Sequence, residues 1–482
     1  MLRFVWEQRR RRTDDRLNRR DWLRIGTLAG LGLFAHSRRP TAAGPEAGLP
    51  PAIAGFARAK SVIIVIASGG QSHLDMWDPK PDAPAEVRGA FQPIHTSVPG
   101  TLVCEHMPRL AALADRYTIV RSMSHEDLDH GSAVYLSLTG HYHTRLSSNP
   151  PPQPTDYPTH GAILKQLRPR SEFVQPAVHV NAPAIIAPNN IAPGQFGGFL
   201  GRDGDPMIIG DVTAQQVVVP GLTPQTDLGE VRLKSRQRLL DALDNHRRRL
   251  ERHRELRDMD LLYRQAFEML DDPATREAFN LRAERKAVRD RYGRNRSGQA
   301  CLLARRLAEA GVPLVTVIWN HHSRGQDHEP DNPDLYGWDT HNDIFDSLTG
   351  HLLPRFDQSF SALLEDLDAR GLLADTLVLC LGEFGRAPLV AYEAKFAGRS
   401  PGRKHWAACY SIVAAGAGVA RGKTLGRSDH LGGYPRSAAY APWDVAATLF
   451  SALGIDPSGH YTDPAGRPYR IADGRPIVGL YE

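Results

Sequence analysis

The chain has 482 residues, 41% of them hydrophobic and 23% charged, a globular composition that excludes a disordered or repeat protein. Its length exceeds the usual size of one core, so it implies one large α/β domain with an insertion or two domains. The net charge of +5 suggests a polyanion partner. However, residues 1–39 hold eleven Arg against Glu7, Asp14, Asp15 and Asp21, a surplus of seven, so the remainder stands near −2 and nucleic acid is set aside.

The basic leader comes first. Arg9 to Arg12 precede Arg19-Arg20, and a Gly- and Ala-rich apolar stretch, Ile25 to Ala35, follows. That stretch is shorter than the roughly 20 residues needed to span a bilayer. Paired arginines ahead of a short apolar region point to a signal peptide of the twin-arginine type, with a cleavage zone near Thr41-Ala42-Ala43. A basic amphipathic helix is the alternative reading. We expect residues 1–43 to be leader and linker, the twin-arginine machinery to be a partner, and the mature protein to be periplasmic or extracellular, without a membrane span.

After a Pro/Gly-rich linker, Ser61 to Ala67 is an uninterrupted apolar run ending in Ser68-Gly69-Gly70. Continuous rather than alternating hydrophobicity indicates a strand buried on both faces, as in a parallel sheet covered by helices. Similar runs recur at 117–121, 177–181, 313–319, 376–381 and 410–415. Helical spacing occupies 299–310, stopped by Gly311, and 348–367, stopped by Gly371. We therefore expect a mostly parallel central sheet flanked by helices, within one domain over 44–482. Residues 183–228 read as irregular loops. An Arg/Glu-rich helical insertion is expected at about 230–295, with Met259, Leu262, Tyr263, Ala266, Phe267 and Leu270 on one face. The four cysteines, Cys104, Cys301, Cys380 and Cys409, form no C-x-x-C pair, which argues against a thiolate zinc site; a Cys380–Cys409 disulfide stays open.

Histidines and carboxylates gather just after these strands. One group is His73, Asp75 and Asp78; a second is His125, Asp129, His130 and Ser132, with Glu126 and Asp127 reading as solvated. A third runs from His321 and His322, in a polar loop, to Asp339 and His341; the fourth is Glu383 with His405. Strand ends on one edge of a parallel sheet bring distant residues together. Mixed imidazole and carboxylate donors suit a divalent metal such as Zn or Mn, as one or two ions.

Five motifs carry a family resemblance: Ser-His-Leu-Asp-Met-Trp-Asp-Pro-Lys-Pro (72–81), Asp-His-Gly-Ser (129–132) with Leu-Thr-Gly (138–140), Trp-Asp-Thr-His (338–341), Gly-Glu-Phe-Gly-Arg (382–386) and His-Trp (405–406). Together they resemble the exported bacterial family catalogued as domain of unknown function 1501 (DUF1501), over about residues 60–457. That family is grouped with the alkaline phosphatase/sulfatase-like superfamily. The resemblance implies that Asp339, His341 and His405 match an Asp/His/His metal group, that Glu383 stands in place of an Asp-His pair, and that the nucleophile position falls near Asp129 to Ser132. Phe384 departs from that pattern by removing one ligand. Without Cys-x-Pro-Ser-Arg the chain is not an ordinary sulfatase. Lys404 also stands where the family usually has an acidic residue.

The expected function is an exported metal-dependent hydrolase of a phosphate, sulfate or related ester, on a small molecule or glycan. Asp75, Asp339, His341, Glu383 and His405 would hold the metal, with His130 a further candidate. Ser132 would be the nucleophile unless water attacks directly, and Arg386 would hold the substrate's anionic group. The rival expectation is a non-catalytic exported scaffold or glycan-binding protein with a degenerate metal site, motivated by Glu383-Phe384.

Overall fold

The runs of Val, Ile and Leu become the interior of one sheet. The computed structural model describes residues 55–168, 175–213 and 277–482. The leader and the part of the helical insertion at 214–276, with its apolar face from Met259 to Leu270, lie outside the described residues.

Eight strands make the central sheet: β1 (Ser61–Ile66), β2 (Thr118–Met123), β3 (Ala177–Val180), β4 (Met207–Ile209), β5 (Leu314–Ile318), β6 (Thr376–Leu381), β7 (Tyr410–Ala415) and β8 (Lys423–Leu425). Their order is β8-β2-β7-β6-β1-β5-β3-β4. β1 lies between β6 and β5, parallel to both, with Ile63 opposite Val378 and Val315. β7 alone runs against its neighbours β6 and β2. The sheet is thus mixed but mostly parallel. β4 falls within 183–228, a region read as irregular, because three residues are too short a run to stand out.

Alternate residues of each strand feed two cores. Ile63, Val65, Val315, Val317, Val378 and Val413 pack on α1 (Pro108–Ala112), α4 (Arg296–Glu309) and α5 (Leu353–Ala369). Val62, Ile64, Ile66, Leu377, Leu379 and Ile412 face α2 (His130–Thr139), α3 (His160–Leu167) and α6 (Pro442–Ala452). Full burial of β1 and β6 explains why their sequences do not alternate with polar residues. Asn295 caps α4 by accepting from Gly298 N at 2.8 Å.

All four cysteines are buried free thiols, so no Cys380–Cys409 bridge forms. Among the described residues no helix is long and apolar enough to cross a membrane.

Candidate metal centre

The reversal of β7 decides the site. In a wholly parallel sheet, His405, which precedes its strand, would sit at the edge opposite the residues that follow β1, β2, β5 and β6. Because β7 is antiparallel, its entry and the others' exits share one edge. A short ladder fixes the register there: Arg386 pairs with His405 and Gly385 with Trp406.

Asp339 is the centre of this edge. Trp338 anchors it, its ring buried 5.5 Å from both Trp319 and Phe356. Asp339 Oδ1 lies 3.1 Å from His341 Nε2, 3.3 Å from His405 Nε2 and 2.9 Å from Arg386 Nη2. Its Oδ2 lies 3.2 Å from His130 Nε2. His130, Asp339 and His405 each offer a ligand atom within 4.8 Å of the others.

Each imidazole spends its other nitrogen elsewhere. His130 Nδ1 donates to Glu383 Oε1 at 2.6 Å, His341 Nδ1 to Glu393 Oε2 at 2.5 Å, and His405 Nδ1 to the Leu128 carbonyl at 2.6 Å. Carboxylates and carbonyls only accept, so all three Nε2 atoms are left to face Asp339. His341 and His405 then bring Nε2 to Nε2 at 2.9 Å. Two imidazole lone pairs at that distance repel unless a proton or a metal ion lies between them. His130 Nε2, close to Asp339 but off hydrogen-bond alignment, has no hydrogen-bond partner among the described residues. Three nitrogens and a carboxylate, each imidazole backed through its far nitrogen, is the donor pattern of a zinc- or manganese-type site. The residues present fit the metal that the sequence implies.

The electrostatics follow from this arrangement. Burial disfavours an ionised Asp339, but the His130 and Arg386 charges overcome it and hold the carboxyl well below its usual range. Burial likewise opposes charge on His130, yet Asp339 and Glu383 raise it to about 9. His405 is lowered to about 4, first by burial and then by the His130 charge.

Glu383 is fully buried. Its Oε1 also accepts from Gly69 N at 2.7 Å, and its Oε2 has no hydrogen-bond partner among the described residues. It therefore backs His130 and reaches the centre through that ring. Gly69 permits this approach: at φ +111° a Cβ there would fall 2.3 Å from Asp339 N. Phe384 is buried with its ring 5.1 Å from His130 and 4.7 Å from His405, closing that side with Ala133 and Ala407.

Three expected site residues are engaged elsewhere. Asp75 gives both oxygens to Arg403, at 2.7 Å to Nε and 2.9 Å to Nη2, and accepts from Ser72 Oγ at 2.5 Å; it braces the loop after β1 and does not join the histidines. Arg386 is fully buried and donates to the carbonyls of Gly69, Gly70 and Arg403 as well as to Asp339, leaving no fork for a substrate anion. Ser132 Oγ is buried, donating to Asp127 Oδ1 at 2.6 Å and accepting from Ser148 N at 3.1 Å. Asp127, read as solvated, is buried because Ser132 and the amides of Asp129 and Ser147 surround it.

The start of α2 is equally closed. Asp129 caps it and takes the His130 amide, Asn149 Oδ1 takes that of Gly131, and the Ser148 carbonyl takes that of Ser132. A helix N-terminus whose amides are satisfied by protein offers little to an anion. His125 donates to the Glu383 carbonyl at 2.7 Å and accepts from Asp127 N, a neutral strut lowered to about 4 by burial. Glu393 escaped sequence reading, since it lies in a loop with no motif; the one available signal was that a ligating His341 needs a partner at its far nitrogen.

No curated protein matches this chain. Among solved structures, the phosphonate monoester hydrolase SpPMH from Silicibacter pomeroyi aligns at 13% identity over 87% of this chain and 76% of its own, with a TM-score of 0.41. The PsFucS1 sulfatase from Pseudoalteromonas sp. aligns at 13% over 82% and 68%, with a TM-score of 0.35. The lipoteichoic acid synthase LtaP from Listeria monocytogenes aligns at 10% over 88% and 77%, with a TM-score of 0.37. The sequence pattern of the family described as "Protein of unknown function (DUF1501)" matches residues 59–480, nearly the whole described chain, and the protein belongs to that family.

Proposed function

We propose that this protein is an exported, metal-dependent hydrolase of a phosphate, sulfate or related ester, in the alkaline phosphatase/sulfatase-like manner. The observation that carries the proposal is the set of three imidazoles, each with Nδ1 spent on an acceptor and Nε2 turned to Asp339. Asp339, His341 and His405 would hold a divalent ion, zinc or manganese. When bound, such an ion supplies a Lewis acid for the ester's non-bridging oxygens.

The chain's own groups set the rest. Arg386 fixes the orientation of Asp339 from behind. His130, held between Glu383 and Asp339, is placed to hold or move a proton at the departing oxygen. Phe384, Ala133 and Ala407 keep water from that flank. His405, with its side chain 17% exposed against 3–6% for the other members, gives the approach from solvent, beside the exposed Lys404. With the Ser132 hydroxyl committed to Asp127, water rather than Ser132 is the attacking group. Residues 1–43 would direct twin-arginine export to the periplasm or beyond, and 44–482 would form one domain carrying a helical insertion at about 230–295.

A second reading has its own support. The enclosed Ser132, the spent Arg386 fork and the closed α2 start favour a non-catalytic exported scaffold or glycan-binding protein with a degenerate metal site. Metal content and hydrolysis of aryl phosphates and sulfates, measured on protein from the exported fraction, separate the readings. Stoichiometric metal with turnover supports the hydrolase, and absence of metal with no hydrolysis sinks it and leaves the scaffold.

A further inference from the structure

The loop from Ala387 to Gly402 returns to the site through one carboxylate and one ring. Glu393 Oε2 receives His341 Nδ1 at 2.5 Å, and Lys404 Nζ lies 3.4 Å from the other oxygen. Phe396 stacks on the His341 imidazole, centroids 3.8 Å apart and planes 13° from parallel. Asn342 clamps the loop from both sides, accepting from Glu393 N at 2.9 Å and donating to the carbonyls of Glu393 and Phe396 at 2.9 and 3.0 Å. Arg324 adds a bond to the Ala397 carbonyl at 2.9 Å and sits 5.2 Å above the Phe396 ring.

These contacts divide the work of aiming one ring. Stacking on Phe396 fixes the plane of His341 but leaves open which nitrogen carries hydrogen. A carboxylate at Nδ1 settles that, because it can only accept, so the hydrogen stays on Nδ1 and the Nε2 lone pair points at Asp339 and His405. A negative partner also makes the far nitrogen a stronger donor. Without Glu393, Nδ1 would turn to whichever acceptor or water came near, and the ring could flip its tautomer.

We propose that Glu393 is a positioning residue for metal binding: it does not touch the ion but fixes the tautomer and aim of His341, so that the loop carrying it forms part of the centre. This rests on the metal-centre reading above. Lys404, on the outer oxygen of Glu393 and 59% exposed, is peripheral to this role.

The test is zinc affinity by calorimetry on the full chain after chelation, for wild type, Glu393→Gln, Glu393→Ala and Lys404→Ala, alongside the thermal midpoint of each protein before zinc is returned. The expected result is a 10–100-fold weaker affinity for Glu393→Ala, a smaller loss for the isosteric Glu393→Gln, and a change under threefold for Lys404→Ala, with the zinc-free midpoint nearly unchanged in all. A purely structural Glu393 would reverse this, lowering the zinc-free midpoint and leaving affinity alone. Glu393→Ala and Glu393→Gln both within twofold of wild type would overturn the proposal while leaving the metal centre standing. A wild type that binds no zinc or manganese would overturn both.

Discussion

One buried histidine at the sheet edge and two in the core have opposite fates in this fold. At the sheet edge His130 is raised to about 9; in the core beneath α3, His160 is lowered to about 4 and His179 further still. All are almost fully enclosed, so burial alone does not set their charge. His130 faces Asp339 and Glu383, whereas among the described residues His179 has no hydrogen-bond partner at either nitrogen and His160 none at Nδ1. Two carboxylates make His130 a place for positive charge, while His405 beside it is lowered by burial and by that charge; the absence of carboxylates makes the core pair a cost the protein carries neutral.

The comparison breaks most sharply at Asp339. Asp339→Asn removes the negative charge shared by three imidazoles and Arg386, and is expected to abolish metal binding and destabilise by about 3–5 kcal/mol, since the buried cations lose their partner. Metal analysis and thermal melting check both parts. Arg386→Gln comes next. A buried clamp on Gly69, Gly70 and Asp339 should lower the melting temperature by several degrees, whereas a substrate-binding arginine would raise KM and leave stability alone.

Ser132→Ala is smaller. It leaves Asp127 short of one donor, for about 1–2 kcal/mol, and any hydrolysis should fall less than tenfold; a loss of a thousandfold would restore Ser132 as the nucleophile. Smallest is His179→Leu, which removes two unsatisfied nitrogens and should be neutral or stabilising by up to about 1 kcal/mol at pH 7. Its pH signature is more telling. With folded values below the unfolded value of about 6.5, the neutral core histidines contribute stability that is complete above pH 6.5 and is lost as pH falls toward 4. His179→Leu should flatten that acid slope, as read from urea midpoints between pH 7 and 5. An unchanged slope would place the acid sensitivity elsewhere.

The sequence carries the sheet more openly than the site. β1 and β6 are readable because strands covered on both faces have no polar alternation. Asp339 and His341 are readable as site candidates because strand ends on one edge bring distant residues together, and His405 through the family resemblance. The direction of β7 is not, since Tyr410–Ala415 is buried on both faces and looks the same run either way. Nor are the fates of Asp75 and Arg386: Arg403 is 328 residues from Asp75, and no local pattern tells a paired ion from a ligand. Glu393 was hidden for the same reason, as its meaning lies in a ring across the loop. Charged residues are named by sequence but assigned by their partners.

The central claim is that Asp339, His341 and His405 form one metal centre. X-ray absorption at the zinc edge, on protein loaded with one equivalent, tests it most directly. The expected spectrum has a nitrogen and oxygen shell at about 2.0–2.1 Å with the outer scattering of two imidazoles, reduced in His405→Ala. An all-oxygen shell without imidazole scattering, or a spectrum unchanged in His405→Ala, would contradict it.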